Sequence, residues 1–524
     1  KTFVINGQGS ERLVKRLLIS EARSLALQFM FKNPSCIRAI PYENKDAKYL
    51  TTCLYMDTNG EEISEEIKVA ANEMFGNDKF EFDNLSRRPP SKGFRPLSTS
   101  EKTKRQELAD INRTIQKNLK LFEDRMNVTA VQASYKVTAS IEKNIPCVTV
   151  YVLGKGKIPA GETDIREIKD KSRVFHEIEF DVAEGCYKQA TGSSRKDSAL
   201  PLEGGVGIGV ENIPATGTLG GFLEDENRNV YILSNQHVLH PTNAAGGAIF
   251  QPSQDDYEEM RREAETNIQR WNNERQRILD ENEDNQEYRN LLVRSIDQKI
   301  RKNTNILSEI LQNPPRQIGT YVRGLQGSVL VNGQRFYVDA AIATLDRNEQ
   351  RVMIYHKNQI EDQANRCPLY GFETNKYWTT ADYNPPNGEI INFETFQELL
   401  LSDDPGLRFM KIGRTTGLTD EGFVKQSPIY VRHIQPNGLH VKFDWGYNCL
   451  PIRKHTGSFS DNGDSGSLVF DQNGRAWGLV FGMLMDLETG LTSSIVSPLF
   501  AIVARLEQET RIKQLTLWRT PNQE

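Results

Sequence analysis

Apolar and polar residues change rhythm several times along this chain. From about Glu11 to Phe31 the apolar positions recur every three to four residues and predict a helix. Strands are predicted at Cys36–Tyr42 and Tyr49–Met56, then a helix near Glu61–Met74 and a strand at Phe80–Asp83, with Asn59-Gly60 as a turn signal. A similar succession returns with a long helix at about Glu101–Met126, strands at Val128–Tyr135 and Cys147–Val152, and a last strand at Glu177–Val182. The expectation is a duplicated α/β region, 1–86 and 100–200, joined by a linker at 87–99 rich in Arg and Pro. It carries no catalytic constellation and reads as a scaffold or docking region.

Beyond Gly204 the strands become short and glycine-rich. Thr218–Leu223 and Val230–Ser234 read as a hairpin, and the wider pattern suggests a barrel or sandwich over 201–512. One stretch breaks it: 255–312 contains neither Gly nor Pro. There Tyr257, Ala264, Trp271 and Ile278 recur every seven residues, and Leu292, Ile296, Ile300, Ile306 and Ile310 follow on the second arm. This predicts an antiparallel helical hairpin, turning near Asp280–Gln286 and ended by Pro314-Pro315. It is expected to project as a coiled coil, with flat packing on the sheet as the alternative. Residues 350–400 read as a link with one helix, Phe393–Leu401; Leu499–Gln514 closes the region, and 513–524 is a tail.

Composition narrows the function. A net charge of −5 without like-charge blocks argues against nucleic acid as a partner. No apolar run reaches the roughly 18 residues of a membrane span, and the opening residues do not form a signal peptide. The six cysteines are scattered without a Cys-x-x-Cys, which favours a reducing, cytoplasmic setting. With no His/Cys cluster, neither a metal nor a cofactor is expected.

Three segments carry candidate chemistry. In Asn462-Gly463-Asp464-Ser465-Gly466-Ser467 the glycines let the backbone bend sharply around an exposed hydroxyl, and the N–H groups of Gly463 and Ser465 can converge on a developing oxyanion. A plain glycine turn is the competing reading. Tyr231–Leu239 is an apolar strand ending at His237, placed where a general base is needed. Phe336–Ala343 holds a single acid, Asp339, in an apolar run; a buried carboxylate needs a partner, and an imidazolium is a suitable one. Each is readable as structural alone, but His, Asp and Ser in this order are specific together.

With these residues the chain resembles the trypsin/chymotrypsin superfamily over roughly 205–512. Without 255–312 the spacing of His237 and Asp339 is close to that family's. Lys411-Ile412-Gly413-Arg414-Thr415-Thr416-Gly417 resembles a segment of its α-lytic and streptogrisin-like bacterial branch, and Gly474–Gly482 resembles the strand lining the substrate cleft. The pattern is also similar to bacterial trypsin-like proteases related to the plant narrow-leaf protein.

The resemblance implies a chymotrypsin-like double β-barrel carrying the α/β N-terminal region and the inserted hairpin. It implies a serine endopeptidase acting on protein or peptide, with His237, Asp339 and Ser465 as triad, Gly463 and Ser465 as oxyanion hole, and Phe459, Arg414, Phe481 and Gly482 at the substrate. Three positions depart from the family: Ser467 replaces a usual Gly, Val480 a frequent Ser behind the Asp, and Phe459 the Asp of basic-specific members. Phe459 suggests a small or apolar residue before the cut, unless it points into the core. Regulation by a protein partner at the hairpin or the N-terminal domains is a further expectation, and a catalytically weak, protease-fold interaction module is the alternative.

Overall fold

The structure, a computed structural model, describes residues 8–33, 35–43, 50–58, 62–76, 79–85, 104–123, 125–139, 141–172, 174–189, 202–211, 216–239, 247–280, 286–346, 351–352, 388–401, 407–424, 428–437, 440–454, 458–487, 489–510 and 512–518. The expected linker at 87–99 and most of the 350–400 link lie outside these residues.

Helix Gln8–Lys32 packs on a three-stranded sheet ordered Cys36–Glu43, Leu50–Met56, Phe80–Asn84, the first pair antiparallel and the second parallel. The intervening helix Glu65–Phe75 starts where Ser64 Oγ accepts from the Ile67 N–H, and it ends at Gly76, whose φ of +83° favours glycine. Val128–Thr138, Ile141–Val152 and Glu179–Gln189 repeat that order and those pairing senses after helix Arg105–Asn118. This helix buries Leu108, Ile111 and Ile115 in a core shared with Val131, Val148 and Val150. The single helix expected at Glu101–Met126 is two, Arg105–Asn118 and Lys120–Glu123.

The second α/β unit is not set apart. Val128–Thr138 pairs with Ile429–Asn437, and Glu179–Gln189 pairs with Ala476–Asp486. Both join a ten-stranded sheet containing Gly417–Val424, Phe409–Gly413, Leu468–Asp471, Ala476–Asp486, Thr492–Pro498 and His440–Arg453 in that order. A further pairing of Gly417–Val424 with His440–Arg453 closes these last six strands into a ring.

The other large sheet is ordered Thr516–Leu517, Gly221–Glu224, Val230–Ser234, Gln334–Thr344, Arg316–Val331, Ala248–Gln251, Gly207–Val210, Thr216–Thr218. Residues of both sheets, among them Phe222, Ile342, Leu468 and Val480, share one core. The expected tail supplies an edge strand here, and Trp518 packs edge-on against Phe222 at 5.9 Å. A two-residue strand leaves no periodicity in the sequence, which is why it read as a tail.

The inserted segment forms helices Gln254–Asp280 and Gln286–Gln312. They pack on each other, with Arg275 Nε 2.8 Å from Asp297 and the Lys299 ammonium 4.0 Å over the Trp271 ring. The first helix meets the sheet at strand Gly207–Val210. Among the described residues no helix is long and apolar enough to cross a membrane, and no group of His, Cys, Asp and Glu is arranged to hold a metal.

Candidate active site

Strand Val230–Ser234 lies beside Gln334–Thr344, with Ser234 opposite Ala341. The one-turn helix Gln236–Leu239 follows directly, so the free N–H groups of its first turn fall next to Asp339. The fully buried Asp339 Oδ1 accepts from the Gln236 N–H at 2.8 Å and the His237 N–H at 3.3 Å, while Oδ2 lies 2.7 Å from His237 Nδ1. Three donors thus hold the carboxylate and fix the ring. A fourth comes from Gln326, opposite Asp339 in the sheet, whose Nε2 donates to Oδ2 at 3.3 Å. Gln326 supplies a hydrogen bond where the resemblance, with Val480 in place of Ser, left a gap.

Ser465 sits in a turn with φ of +96° at Gly463 and +94° at Gly466, the conformation glycine adopts without strain. A Cβ on Gly466 would also collide with Ser234 Oγ and the Thr218 carbonyl. Strand Thr216–Thr218 joins this turn to the histidine. The Thr218 N–H donates to the Ser465 carbonyl at 2.8 Å and its hydroxyl to the Gly463 carbonyl at 2.8 Å. The Cβ position of Gly217 lies 2.7 Å from a Val238 methyl and 3.1 Å from the Ser465 carbonyl oxygen, so the chain at His237 and that at Ser465 approach across a residue without a side chain.

His237 Nε2 and Ser465 Oγ are both buried, and among the described residues neither has a hydrogen-bond partner. The link between the two segments is made by the backbone at Gly217, which packs against both Val238 and the Ser465 carbonyl. Among the described residues, the N–H groups of Gly463 and Ser465 also meet no acceptor.

Asp464, fully buried, fixes the turn from below. Its Oδ2 lies 2.9 Å from the buried Lys411 ammonium and 2.7 Å from the Thr416 hydroxyl; its Oδ1 accepts from the N–H groups of Thr415 at 2.8 Å and Thr416 at 3.2 Å. Sequence reasoning missed Lys411. A cation inside the apolar run Phe409–Gly413 was the available signal, since a buried charge requires a partner.

The residues expected at the substrate are placed otherwise. Arg414 is 2% exposed, and its guanidinium grips the Asp256 carboxylate at the root of the helical hairpin, so it is an internal ion pair and not a substrate contact. The Phe459 side chain is in the core, its ring 5.9 Å from the Lys411 ammonium. Phe481 is buried between Tyr337 at 5.1 Å and Tyr187 at 6.4 Å. Gly482 faces Gln189, as Met483 faces Lys188. The edge of Ala476–Asp486 beyond Phe481 is therefore occupied by the chain's own strand, antiparallel and running toward the Ser465 turn, which bonds the same strand at Val480.

No protein-family model matches the chain, and no curated protein matches it. Among solved structures, a Nocardiopsis protease (NAPase) is similar at 11% identity, with a TM-score of 0.28, covering 61% of this chain and 100% of that one. A likeness that weak carries no argument about function; the geometry of the site does.

Proposed function

We propose that the chain is a serine endopeptidase of the chymotrypsin-like, double-barrel type, with His237, Asp339 and Ser465 as its catalytic residues. The observation that carries this reading is the His237–Asp339 pair, locked at 2.7 Å, together with a buried, unpartnered Ser465 Oγ on a turn whose carbonyl packs against Gly217 beside Val238. Ser465 Oγ attacks the scissile carbonyl carbon and passes its proton to His237 Nε2. The imidazolium, stabilised by Asp339, returns that proton to the leaving amine, and water then releases the acyl group by the same route. The N–H groups of Gly463 and Ser465 hold the oxyanion. The test is incubation with a peptide library and identification of new termini by mass spectrometry. New termini that vanish with Ser465→Ala support the proposal; a library left intact at every pH and enzyme concentration refutes it.

A second reading, an interaction module with little turnover, is favoured by one observation: strand Glu179–Gln189 lies where an extended substrate would add to Ala476–Asp486. On the peptidase reading this strand competes with substrate. Lys188→Pro, which removes an N–H from that ladder, is expected to lower KM for peptides several-fold while leaving acylation by a small probe unchanged. An unchanged KM would sink the competition. A regulatory protein partner at the helical hairpin belongs to the same proposal.

Burial pushes Lys411 below the ordinary lysine value of 10.5, with Asp464 opposing the shift. Lys411 therefore loses its charge at a lower pH than an exposed lysine, and with it the ion pair behind the oxyanion turn. kcat/KM is expected to fall reversibly on an alkaline limb that begins below pH 10.5. A rate that stays flat to about pH 10, near the reference lysine value, would contradict this.

A further inference from the structure

The geometry points to Asp256, at the root of the helical hairpin, as a positioning residue for the oxyanion turn, acting through Arg414. This rests on the peptidase reading and adds to it the part of the insertion that the chemistry requires. Asp256 and Arg414 are both buried, and the pair is two-pronged: Arg414 Nε lies 3.0 Å from Asp256 Oδ2, and its terminal nitrogen bonds Oδ1. Such a fork fixes orientation as well as charge.

The Arg414 backbone belongs to a segment that holds the Ser465 turn at Asn462 and Asp464 directly, and at Gly463 through Thr218. The Arg414 N–H donates to the Thr218 hydroxyl at 3.1 Å, and that hydroxyl donates to the Gly463 carbonyl at 2.8 Å. The Thr415 hydroxyl bonds the Asn462 carbonyl, and the Thr415 and Thr416 N–H groups hold Asp464. Gly413 lies so close to the Asp464 carboxylate and Ser467 Oγ that a Cβ would collide with both. The segment therefore has little slack, and a displaced Arg414 backbone carries the carbonyls of Asn462 and Gly463 with it. The N–H groups of Gly463 and Ser465 follow, and these are the proposed oxyanion donors.

Asp256 is itself anchored. Its N–H donates to Ser253 Oγ at 3.0 Å, and that oxygen lies 2.9 Å from the hydroxyl of Thr216, on the strand that holds the Ser465 carbonyl. The first turn of the insertion is thus tied to both sides of the oxyanion turn. The far parts of the two arms pack on each other, as the Arg275–Asp297 pair shows. The root positions, and the arm beyond it is dispensable for turnover.

Three variants of the full chain test this: Asp256→Asn, Arg414→Lys, and replacement of 276–296 by a short turn. The readouts are the second-order rate of acylation by a fluorophosphonate, kcat and KM for a cleaved peptide, the acid limb of the pH profile, and a melting scan. Asp256→Asn is expected to slow acylation and kcat by about 10²-fold, the scale of one lost oxyanion donor, with KM nearly unchanged. The acid limb should not move, because the His237–Asp339 pair is untouched. Arg414→Lys keeps a charge opposite Asp256 but loses the fork; it covers the case in which Asp256→Asn does not fold, and should slow acylation at least about tenfold. The truncated arm should acylate within about twofold of the native rate.

Native rates in Asp256→Asn or in Arg414→Lys overturn the inference, as does slowing accompanied by a displaced acid limb. An inactive truncation overturns the claim that the root alone positions. A native chain that the probe does not label removes the peptidase reading and this inference with it. A labelled native chain with an unaffected Asp256→Asn removes this inference alone.

Discussion

Replacing Ser465 with alanine is expected to lower turnover on the order of 10⁶-fold, the scale seen when a nucleophile is removed from a unit acting in concert. The fold should survive. Ser465 Oγ is buried and unpartnered among the described residues, so its removal relieves a desolvation penalty of about 1–3 kcal/mol. The variant is therefore expected to melt no lower than the native chain. Loss of activity with unchanged or raised stability is the signature of a site held at a cost to the fold. A variant that unfolds would show that Ser465 serves structure first, and one that retains turnover would show that the nucleophile lies elsewhere.

Asp339→Asn should cost turnover about 10⁴-fold by a different route. Oδ2 faces two nitrogens, His237 Nδ1 and Gln326 Nε2, while Oδ1 accepts from two backbone N–H groups. An amide can satisfy only one side. With its oxygen on the backbone pair, its NH₂ meets Nδ1 as a donor and forces the ring proton onto Nε2, which then cannot take the Ser465 proton. Flipping the amide leaves the two N–H groups without an acceptor. Either way a buried group loses its partner, so stability should also fall by about 1–3 kcal/mol. Single-turnover acylation by an activated ester, beside a melting scan, separates the two effects. Native acylation in this variant would contradict the role given to Asp339.

The candidate site was legible where a residue type broke its local pattern. Asp339 is the one acid in the run Phe336–Ala343, His237 follows an apolar strand within three residues, and Ser465 stands between glycines that only a sharp turn explains. Lys411 breaks the run Phe409–Gly413 in the same way and carried the same information unused. Asp256 broke nothing: it is one acid among many on a polar helix, and only its burial against Arg414 marks it. Arg414, read as a substrate contact, is drawn inward because a planar fork matches a carboxylate better than water does.

Sheet neighbours were the other blind spot. The three strands of the second α/β unit are plain in the alternation, yet nothing in it tells that Glu179–Gln189 continues onto the edge of Ala476–Asp486. Edge pairing is made by backbone groups that every residue carries, so it leaves no compositional trace. The two helices of the inserted hairpin ran close to their expected bounds because long periodic segments over-determine themselves, and Gln286–Gln312 ends just before Pro314.

Whether Ser465 is a nucleophile activated by His237 is decided most directly by labelling the native chain with a fluorophosphonate and mapping the adduct by peptide, with His237→Ala in parallel. The expected result is a single adduct on Ser465, formed at a rate that falls by several orders of magnitude without the imidazole. An adduct on another serine, or Ser465 labelling that does not depend on His237, would contradict it.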